Sequence, residues 1–166
     1  MAKFLIREFR KSDFRRLWEI DQQCFVRGIA YSQAELAYYI TRRTAFTIVA
    51  ERKDVVSHPD ATPKGGDSGI VGFLVAQCVR RGQLIGHVVT IDILPDFRRS
   101  GLGSELMDVA EKRLAESGCH RVALEVAVDN AAAISFYQRH GYSIARTIPR
   151  YYNGELDALE MEKRLL

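Results

Sequence analysis

The hydrophobic and polar positions of the amino-terminal part predict a strand, two helices and a second strand. Residues 3–10 predict a strand, and Ser12 and Asp13 then offer a helix cap. Apolar side chains recur after this cap at helical spacing, namely Phe14, Leu17, Trp18 and Phe25. A second helix is predicted from Ser32, with Leu36, Tyr39 and Ile40 on one face. Residues 46–50 are β-branched and aromatic, which favours a strand.

A polar stretch then separates this strand from a hairpin. Residues 54–69 contain His58, Pro59, Pro63 and the pair Gly65 and Gly66, a composition typical of a long loop at a mobile hairpin tip. Residues 70–79 and 83–94 predict two strands around the turn formed by Arg80, Arg81 and Gly82.

The second half of the chain alternates helices and strands. A helical stripe begins at Leu102, and Gly118 is placed as its carboxy-terminal cap. Residues 120–128 predict a strand, Asn130 can cap a short helix that ends at Gly141, and residues 142–147 and 156–163 predict closing strands. The order β-α-α-β-β-β-α-β-α-β-β predicts an α/β fold with a mixed sheet and a single domain over residues 1–166.

Composition narrows the class of protein. Apolar residues make up 47% and charged residues 27% of the chain, as in a soluble globular protein. The short apolar run near the start is too short for a secretory or membrane segment, so a cytoplasmic protein without membrane contact is expected. Three widely spaced cysteines favour buried thiols over a disulfide framework or a zinc site. A net charge of +3 suits an anionic ligand but is too small for a nucleic-acid binder.

Residues 98–104 connect a predicted strand directly to a predicted helix through a turn with two glycines. The first turn of a helix has unpaired N–H groups, so this segment can form a backbone cradle for a pyrophosphate. Gly101 and Gly103 permit unusual dihedral angles and close approach, and Pro95 ends the strand ladder. Neither a Walker loop nor a dinucleotide fingerprint is present. A plain glycine turn that caps a helix remains the alternative.

A second group of residues follows the next strand. Residues 124–130 end that strand, and the helix after it carries four side chains on one stripe. The stripe combines an amide, two apolar contacts and a phenol along one groove: Asn130, Ala133, Ile134 and Tyr137.

Together, the two segments resemble motifs A and B of the GNAT acyl-CoA N-acetyltransferases, and the order of elements resembles that family over nearly the whole chain. The resemblance implies an acyl-CoA N-acyltransferase fold whose central strands splay at the cofactor, with acetyl-CoA as co-substrate. It also implies cofactor contacts from strand, cradle and helix, namely Ile91, Ile93, Arg98, Arg99, Ser100, Gly101, Leu102, Gly103, Ser104, Asn130, Ala133 and Tyr137.

Within that family, the chain is most similar to the Rim-type protein N-terminal alanine acetyltransferases. The similarity lies in Leu-Glu-Val at residues 124–126, in residues 130–142, and in a closing hairpin that contains Tyr151 and Tyr152. It implies that these two tyrosines contact the substrate, and Tyr31 is a further candidate for a substrate contact. Residues 26–31 depart from the Rim-type pattern of a proline and an aromatic residue, so the identity of the peptide is left open.

Acetyl transfer to an amine requires a proton acceptor for the amine and a proton donor for the thiolate that leaves. Glu125 lies in a strand beside the small residues Ala123 and Ala127, and the resemblance also gives a glutamate there, so it is the expected base. A solvent-facing or salt-bridged carboxylate is the alternative. Tyr137 is the expected acid, and the backbone amide of Ile93 is the expected donor to the thioester carbonyl.

The sequence alone leaves other catalytic residues and other functions open. Asp92 is a second candidate base, whereas His87, His120 and His140 lack metal-ligand spacing, and no metal is expected. The leading prediction is acetylation of a protein N-terminus. The alternatives are acetylation of a small-molecule amine or of a protein lysine, and a non-catalytic CoA-binding sensor. No nucleic-acid partner is expected, and the chain can be a monomer or a homodimer.

Overall fold

A computed structural model of the protein describes residues 3–56 and 69–165. Within these residues it contains seven strands: β1 (Phe4–Glu8), β2 (Ala45–Arg52), β3 (Ile70–Arg81), β4 (Gln83–Ile93), β5 (Arg121–Ala127), β6 (Ser143–Tyr152) and β7 (Leu156–Arg164). The helices in the same ranges are α1 (Phe14–Cys24), α2 (Gln33–Thr41), α3 (Lys53–Val56), α4 (Leu102–Glu116) and α5 (Ala131–Arg139). Short 3-10 turns at Lys11–Asp13 and Pro95–Phe97 precede α1 and α4.

The strands form one mixed sheet in the order β1-β2-β3-β4-β5-β7-β6. β1 and β2 are antiparallel, as are β5 with β7 and β6 with β7, whereas β4 and β5 are parallel. The predicted α/β class and element order are confirmed. The structure adds the short helix α3, which the polar composition around residue 54 did not indicate. Most of the predicted loop 54–69 lies outside the described residues.

Local sequence signals explain where several elements begin and end. The Ser32 hydroxyl accepts the backbone N–H of Glu35 at 3.2 Å, and the Glu35 carboxylate accepts the N–H of Ser32 at 2.8 Å, so α2 begins with a capping box. Gly118 adopts a φ of +88°, and the N–H of Cys119 then bonds to the carbonyl of Leu114 at 3.0 Å. This left-handed residue closes α4, as the sequence predicts.

The described residues divide into two compact units. The first contains the described residues from 3–56, 69–75 and 90–108, and the second contains 76–89 and the described residues from 109 onward. Strands β3 and β4 contribute residues to both units. Fully buried side chains of the first unit include Leu17, Ile20, Leu36, Phe73, Leu102 and Leu106. Those of the second include Leu114, Val122, Leu124 and Met161.

The central strands β4 and β5 pair in parallel. Their register pairs Gly86 with Val122 and His87 with Ala123. β5 continues through Ala127 and pairs along its whole length with β7.

The cysteine prediction is correct for one thiol and wrong for two. Cys119 is buried, whereas Cys24 and Cys78 are half-buried. All three are free thiols, and the sulfur atoms of Cys78 and Cys119 lie 3.4 Å apart. Cys24 is the last residue of α1, whereas Cys78 lies within β3.

Within the described part of the chain, no helix has the length and apolar character needed to cross a membrane. The same residues contain no group of three or more His, Cys, Asp and Glu side chains placed to hold a metal ion.

Gly72 in β3 provides a test of how tightly β3 and β4 pack. A Cβ atom at this position would lie 2.8 Å from the carbonyl oxygen of Asp92, and a backbone atom cannot yield as a side chain can. We expect Gly72→Val to lower the free energy of unfolding in urea by about 1–3 kcal/mol or more. Gly82→Asn is the matched control, because nothing lies within 4 Å there and asparagine tolerates the φ of +73°. An equal loss for both variants would contradict the close approach at Gly72.

Candidate functional site

The predicted pyrophosphate cradle lies in the first unit, between β4 and α4. Arg99 has a φ of +59° and Gly101 a φ of +88°, so two left-handed residues alternate just before the helix begins at Leu102. Alternation of right- and left-handed residues turns successive N–H groups toward one point and forms an anion-binding concavity. The first-turn amides of α4 add the positive end of the helix dipole.

The surroundings of the cradle match an anionic group. A Cβ atom at Gly101 would meet nothing within 4 Å, so the glycine is required for its backbone angle and the space beside it is open. The Ser100 hydroxyl donates to the carbonyl of Phe97 at 2.7 Å, and Arg98 Nε donates to the carbonyl of Ile93 at 2.9 Å. These two bonds hold the loop, and Arg98, Arg99 and Ser100 remain exposed.

The end of β4 has two different faces. Ile91 and Ile93 are half-buried, whereas Asp92 between them is fully buried. The Ile93 carbonyl accepts bonds from Arg98 and from the thiol of Cys24, at 2.9 and 3.3 Å. The two isoleucines therefore lie on the accessible face, and Asp92 points into the protein.

Burial defines the chemical state of Asp92. Its side chain accepts a hydrogen bond from the Thr90 hydroxyl, and burial raises the pKa of Asp92 well above its ordinary value. A fully buried carboxyl is not accessible to an incoming amine. The structure thus favours Glu125 over Asp92 as the candidate base.

Glu125 lies in the second unit, at the centre of β5. Its side chain is 14% exposed, and its strand neighbours on the same face, Ala123 and Ala127, are buried. His87 of β4 contacts it, with 2.7 Å between Nε2 and a carboxylate oxygen of Glu125. The other ring nitrogen of His87 lies 3.3 Å from the side-chain nitrogen of Gln77. Gln77, His87 and Glu125 thus form a hydrogen-bonded row across β3, β4 and β5.

A second carboxylate lies directly opposite Glu125. Glu160 of β7 is its register partner and is itself buried. Arg146 of β6 binds both oxygens of Glu160 at 3.1 Å and holds its pKa below the ordinary value. Arg146 balances the negative charge of Glu160. Each of the two neighbouring carboxylates therefore has its own partner, Arg146 for Glu160 and His87 for Glu125.

The predicted acid, Tyr137, lies on α5 in the second unit. Its ring is 8% exposed and packs against Phe136 and Tyr142, with centroid distances of 5.4 and 5.8 Å. The Tyr142 hydroxyl donates to Glu111 at 2.9 Å, which holds that neighbouring ring in place. Tyr137 is therefore fixed in orientation by aromatic packing.

Asn130 and Ala133 begin the same helix. The side-chain oxygen of Asn130 accepts the N–H of Ala133 at 3.2 Å, so the asparagine acts as the cap of α5. The side-chain NH₂ group of Asn130 can then donate to a ligand. Asn130 is exposed and Ala133 is half-buried, so a ligand can reach both residues.

The three predicted substrate tyrosines occupy two places. Tyr31 belongs to the loop between α1 and α2 in the first unit, whereas Tyr151 and Tyr152 end β6 in the second. Asn153 and Gly154 both have positive φ and form the hairpin turn after this pair. Burial raises the pKa of the Tyr152 hydroxyl, and the charges of Tyr151 and Glu125 add to this effect. Tyr152 therefore lies within electrostatic range of Glu125.

Sequence reasoning missed the partner of Glu125. The sequence shows only that His87 lacks metal-ligand spacing, whereas in the structure its partner is the candidate base itself. No local pattern around residue 87 identifies this contact, because it depends on the parallel register of β4 and β5.

Comparisons with known proteins concern the family and the fold. The chain is 36% identical over 97 residues to N-alpha-acetyltransferase 20 of Dictyostelium discoideum, a match that covers 57% of this chain and 56% of the relative. It therefore spans little more than half the length of that relative. The structure superposes on Ard1 from Thermoplasma volcanium with a TM-score of 0.82 and 26% identity, over 99% of each chain.

A third comparison concerns the fold alone. The ribosomal-protein-S18-alanine N-acetyltransferase of Escherichia coli superposes with a TM-score of 0.75 and 22% identity, over 98% of this chain and 94% of that one. The sequence profile of the acetyltransferase (GNAT) family matches residues 14–142. Because this match covers most of the 166 residues, the chain belongs to the acetyltransferase (GNAT) family.

Proposed function

We propose that the protein is an acetyl-CoA-dependent N-acetyltransferase that acetylates the N-terminal α-amine of a protein, with Glu125 as the base. The observation that carries the proposal is the Glu125 carboxylate, 14% exposed and held by His87 at 2.7 Å. A partly buried carboxylate with one fixed donor has a defined direction in which to accept a proton. A carboxylate with only a structural role would be paired with a cation, as Glu160 is with Arg146.

The relatives support the class of acceptor. The Dictyostelium discoideum relative, at 36% identity, is named as an N-alpha-acetyltransferase. The adjacent aromatic rings of Tyr151 and Tyr152, 4.9 Å apart and nearly perpendicular, offer a surface for a peptide backbone that a small amine would not need. Tyr31 would provide a further aromatic contact.

The reaction forms a C–N bond and breaks a C–S bond. Bound acetyl-CoA supplies the acetyl group and a thiolate leaving group. An α-amine attacks only when neutral, so Glu125 would accept the proton that the amine loses. The Gln77 amide can donate to His87 Nδ1, which leaves the proton of the ring on Nε2, directed at Glu125. His87 would thus orient the carboxylate and stabilise its charged form before the amine arrives.

Tyr137 would return a proton to the departing thiolate. A tyrosine hydroxyl is protonated at neutral pH, so it is available as a donor. Its packing against Phe136 and Tyr142 keeps the ring in one position. The backbone N–H of Ile93, at the end of β4, is the proposed donor to the thioester carbonyl.

The cradle would hold the pyrophosphate of CoA through its backbone. The amides from Arg99 to Ser104 are the proposed donors, and Arg98 and Arg99 add positive charge. The amide nitrogen of Asn130 and the small side chain of Ala133 would contact the pantetheine arm. The backbone amides and the positive charge of the cradle therefore suit the anionic pyrophosphate of CoA.

The acceptor is tested with a peptide library that has free and blocked N-termini and includes peptides beginning with alanine. We expect mass spectrometry to place the acetyl group on the α-amine of unblocked peptides. Acetylation that survives blocking and requires lysine would contradict the N-terminal proposal, as would preferential transfer to small amines. Binding of CoA without any transfer would indicate a non-catalytic module.

The base is tested by Glu125→Gln, which keeps the shape of the side chain but removes its basicity. We expect kcat/KM to fall by about 100-fold or more, while the dissociation constant for CoA stays unchanged. Glu162→Gln is the matched control, since Glu162 lies on β7 and pairs with Arg121 at 3.1 Å. Equal activity of the two variants would exclude Glu125 as the base.

The cradle is tested by Gly101→Val. A β-branched residue is strained at a φ of +88°, so the amides should lose their convergence and CoA binding should weaken by about tenfold or more in calorimetry. Gly82→Val is the control, because Gly82 also has a positive φ and open space but lies in the β3–β4 turn. Unchanged CoA affinity in Gly101→Val would show that the loop is only a helix cap.

A further inference from the structure

Two buried carboxyl groups face each other in the first unit and have no part in the proposed chemistry. Asp21 on α1 and Asp92 on β4 both have no exposed surface. One oxygen of each, Asp21 Oδ1 and Asp92 Oδ2, has no hydrogen-bond partner among the residues that the structure describes. The two carboxyls lie close enough to shift each other's pKa, so a proton placed between them would give both oxygens a partner. Two buried carboxylates cannot both be charged at such close range, whereas one proton between them satisfies both.

The remaining oxygens of the pair connect to two different segments. Asp21 Oδ2 accepts the backbone N–H of Tyr31 at 2.8 Å and the side-chain amide of Gln22 at 3.1 Å. Asp92 Oδ1 accepts the Thr90 hydroxyl. The pair thus joins the end of β4 to the loop of residues 25–32, which we call the Tyr31 loop.

The peptide of Tyr31 is held from both sides. Its N–H donates to Asp21, and its carbonyl accepts from Trp18 Nε1 at 3.2 Å and from Gln22 Nε2 at 2.8 Å. Because Asp21 supplies the bond on the N–H side, the position of this peptide depends on where the Asp21 carboxyl lies.

We propose that Asp21 and Asp92 share one proton between α1 and β4, and that this proton positions the Tyr31 loop for the amine substrate. Asp21 and Asp92 are positioning residues, since neither is accessible to the substrate. Only the part that gives the Tyr31 loop a role in binding the amine substrate rests on the proposed function.

The neighbouring charged groups are consistent with a single shared proton. Burial raises the pKa of Asp21 to about 6 and that of Asp92 well above its ordinary value, so Asp92 is the carboxyl that keeps the proton at neutral pH. Glu35 of α2 adds negative charge near Asp21, and Arg98 adds positive charge near Asp92. The nearby thiol of Cys24 is neutral, because burial raises its pKa to about 11.

The direction of the pH effect follows from proton binding. An unfolded aspartate has a pKa of about 3.9, so above that pH the folded protein holds protons that the unfolded chain has lost. The stability contributed by the pair is therefore complete at low pH and declines as the pH rises through the raised folded values. Removal of the shared proton would leave two buried charges, which are relieved when Asp21 moves away and takes the Tyr31 loop with it.

The experiment compares two substitutions of similar size at one position. Asp92→Asn keeps a donor for Asp21 that cannot ionise, whereas Asp92→Leu fills the same space without a donor. We expect Asp92→Leu to raise the KM for a peptide amine about tenfold with an unchanged KM for acetyl-CoA, and Asp92→Asn to stay near the wild type. The Tyr31 amide should exchange with solvent about tenfold faster in Asp92→Leu only.

A second measurement does not depend on any variant or on activity. Carbon-detected NMR of the wild type, labelled at the aspartate carboxyls, should show one buried carboxyl that ionises near pH 6 and one that stays protonated through neutral pH. Two carboxyls that are both ionised at neutral pH would overturn the proposal, and so would identical behaviour of the two variants. If no amine is acetylated, the proposed function fails, while the NMR and exchange results still test the shared proton.

Discussion

The hydrogen bond between His87 and Glu125 is the interaction on which the proposed chemistry depends. A carboxylate in the middle of a strand with buried alanines on its own face loses much of its hydration, and this costs free energy unless a donor replaces the water. His87 supplies that donor at 2.7 Å from the adjacent parallel strand. Arg146 of β6 likewise supplies the donors for the carboxylate of Glu160 on β7. Of the two neighbouring carboxylates, Glu160 is therefore paired with a guanidinium and Glu125 with an imidazole.

The cradle in the first unit follows a different physical rule. Its proposed donors are backbone amides, so the side chains of the loop mainly set dihedral angles and hold its position. Arg99 and Gly101 adopt left-handed angles, and an L-residue such as Arg99 pays for this conformation with about 1–2 kcal/mol. Ser100 and Arg98 anchor the loop to nearby carbonyls. Strain of this kind persists where the surrounding structure supports a functional geometry.

Local signals predicted most of the fold because they act over a few residues. Ser32 and Glu35 form the capping box that begins α2, and Gly118 adopts the left-handed angle that ends α4. The glycines of the cradle and the cap at Asn130 were found in the same way. Where several short-range preferences agree, a sequence predicts its elements without knowledge of their neighbours. The helix α3 lacked such a signal, since it consists of only four residues, Lys-Asp-Val-Val.

By itself, the sequence determined the order of helices and strands, the cradle, the candidate carboxylates and the family resemblance, because each is encoded over short distances along the chain. Only the tertiary structure decided which candidate has a partner. The register between β4 and β5 brings His87 to Glu125, and the packing of α1 on β4 buries Asp92 beside Asp21. Such contacts join residues far apart in sequence: His87 and Glu125 are 38 positions apart. Their chemistry depends on the solvent removed and the donors supplied by other elements, and no local pattern contains that information.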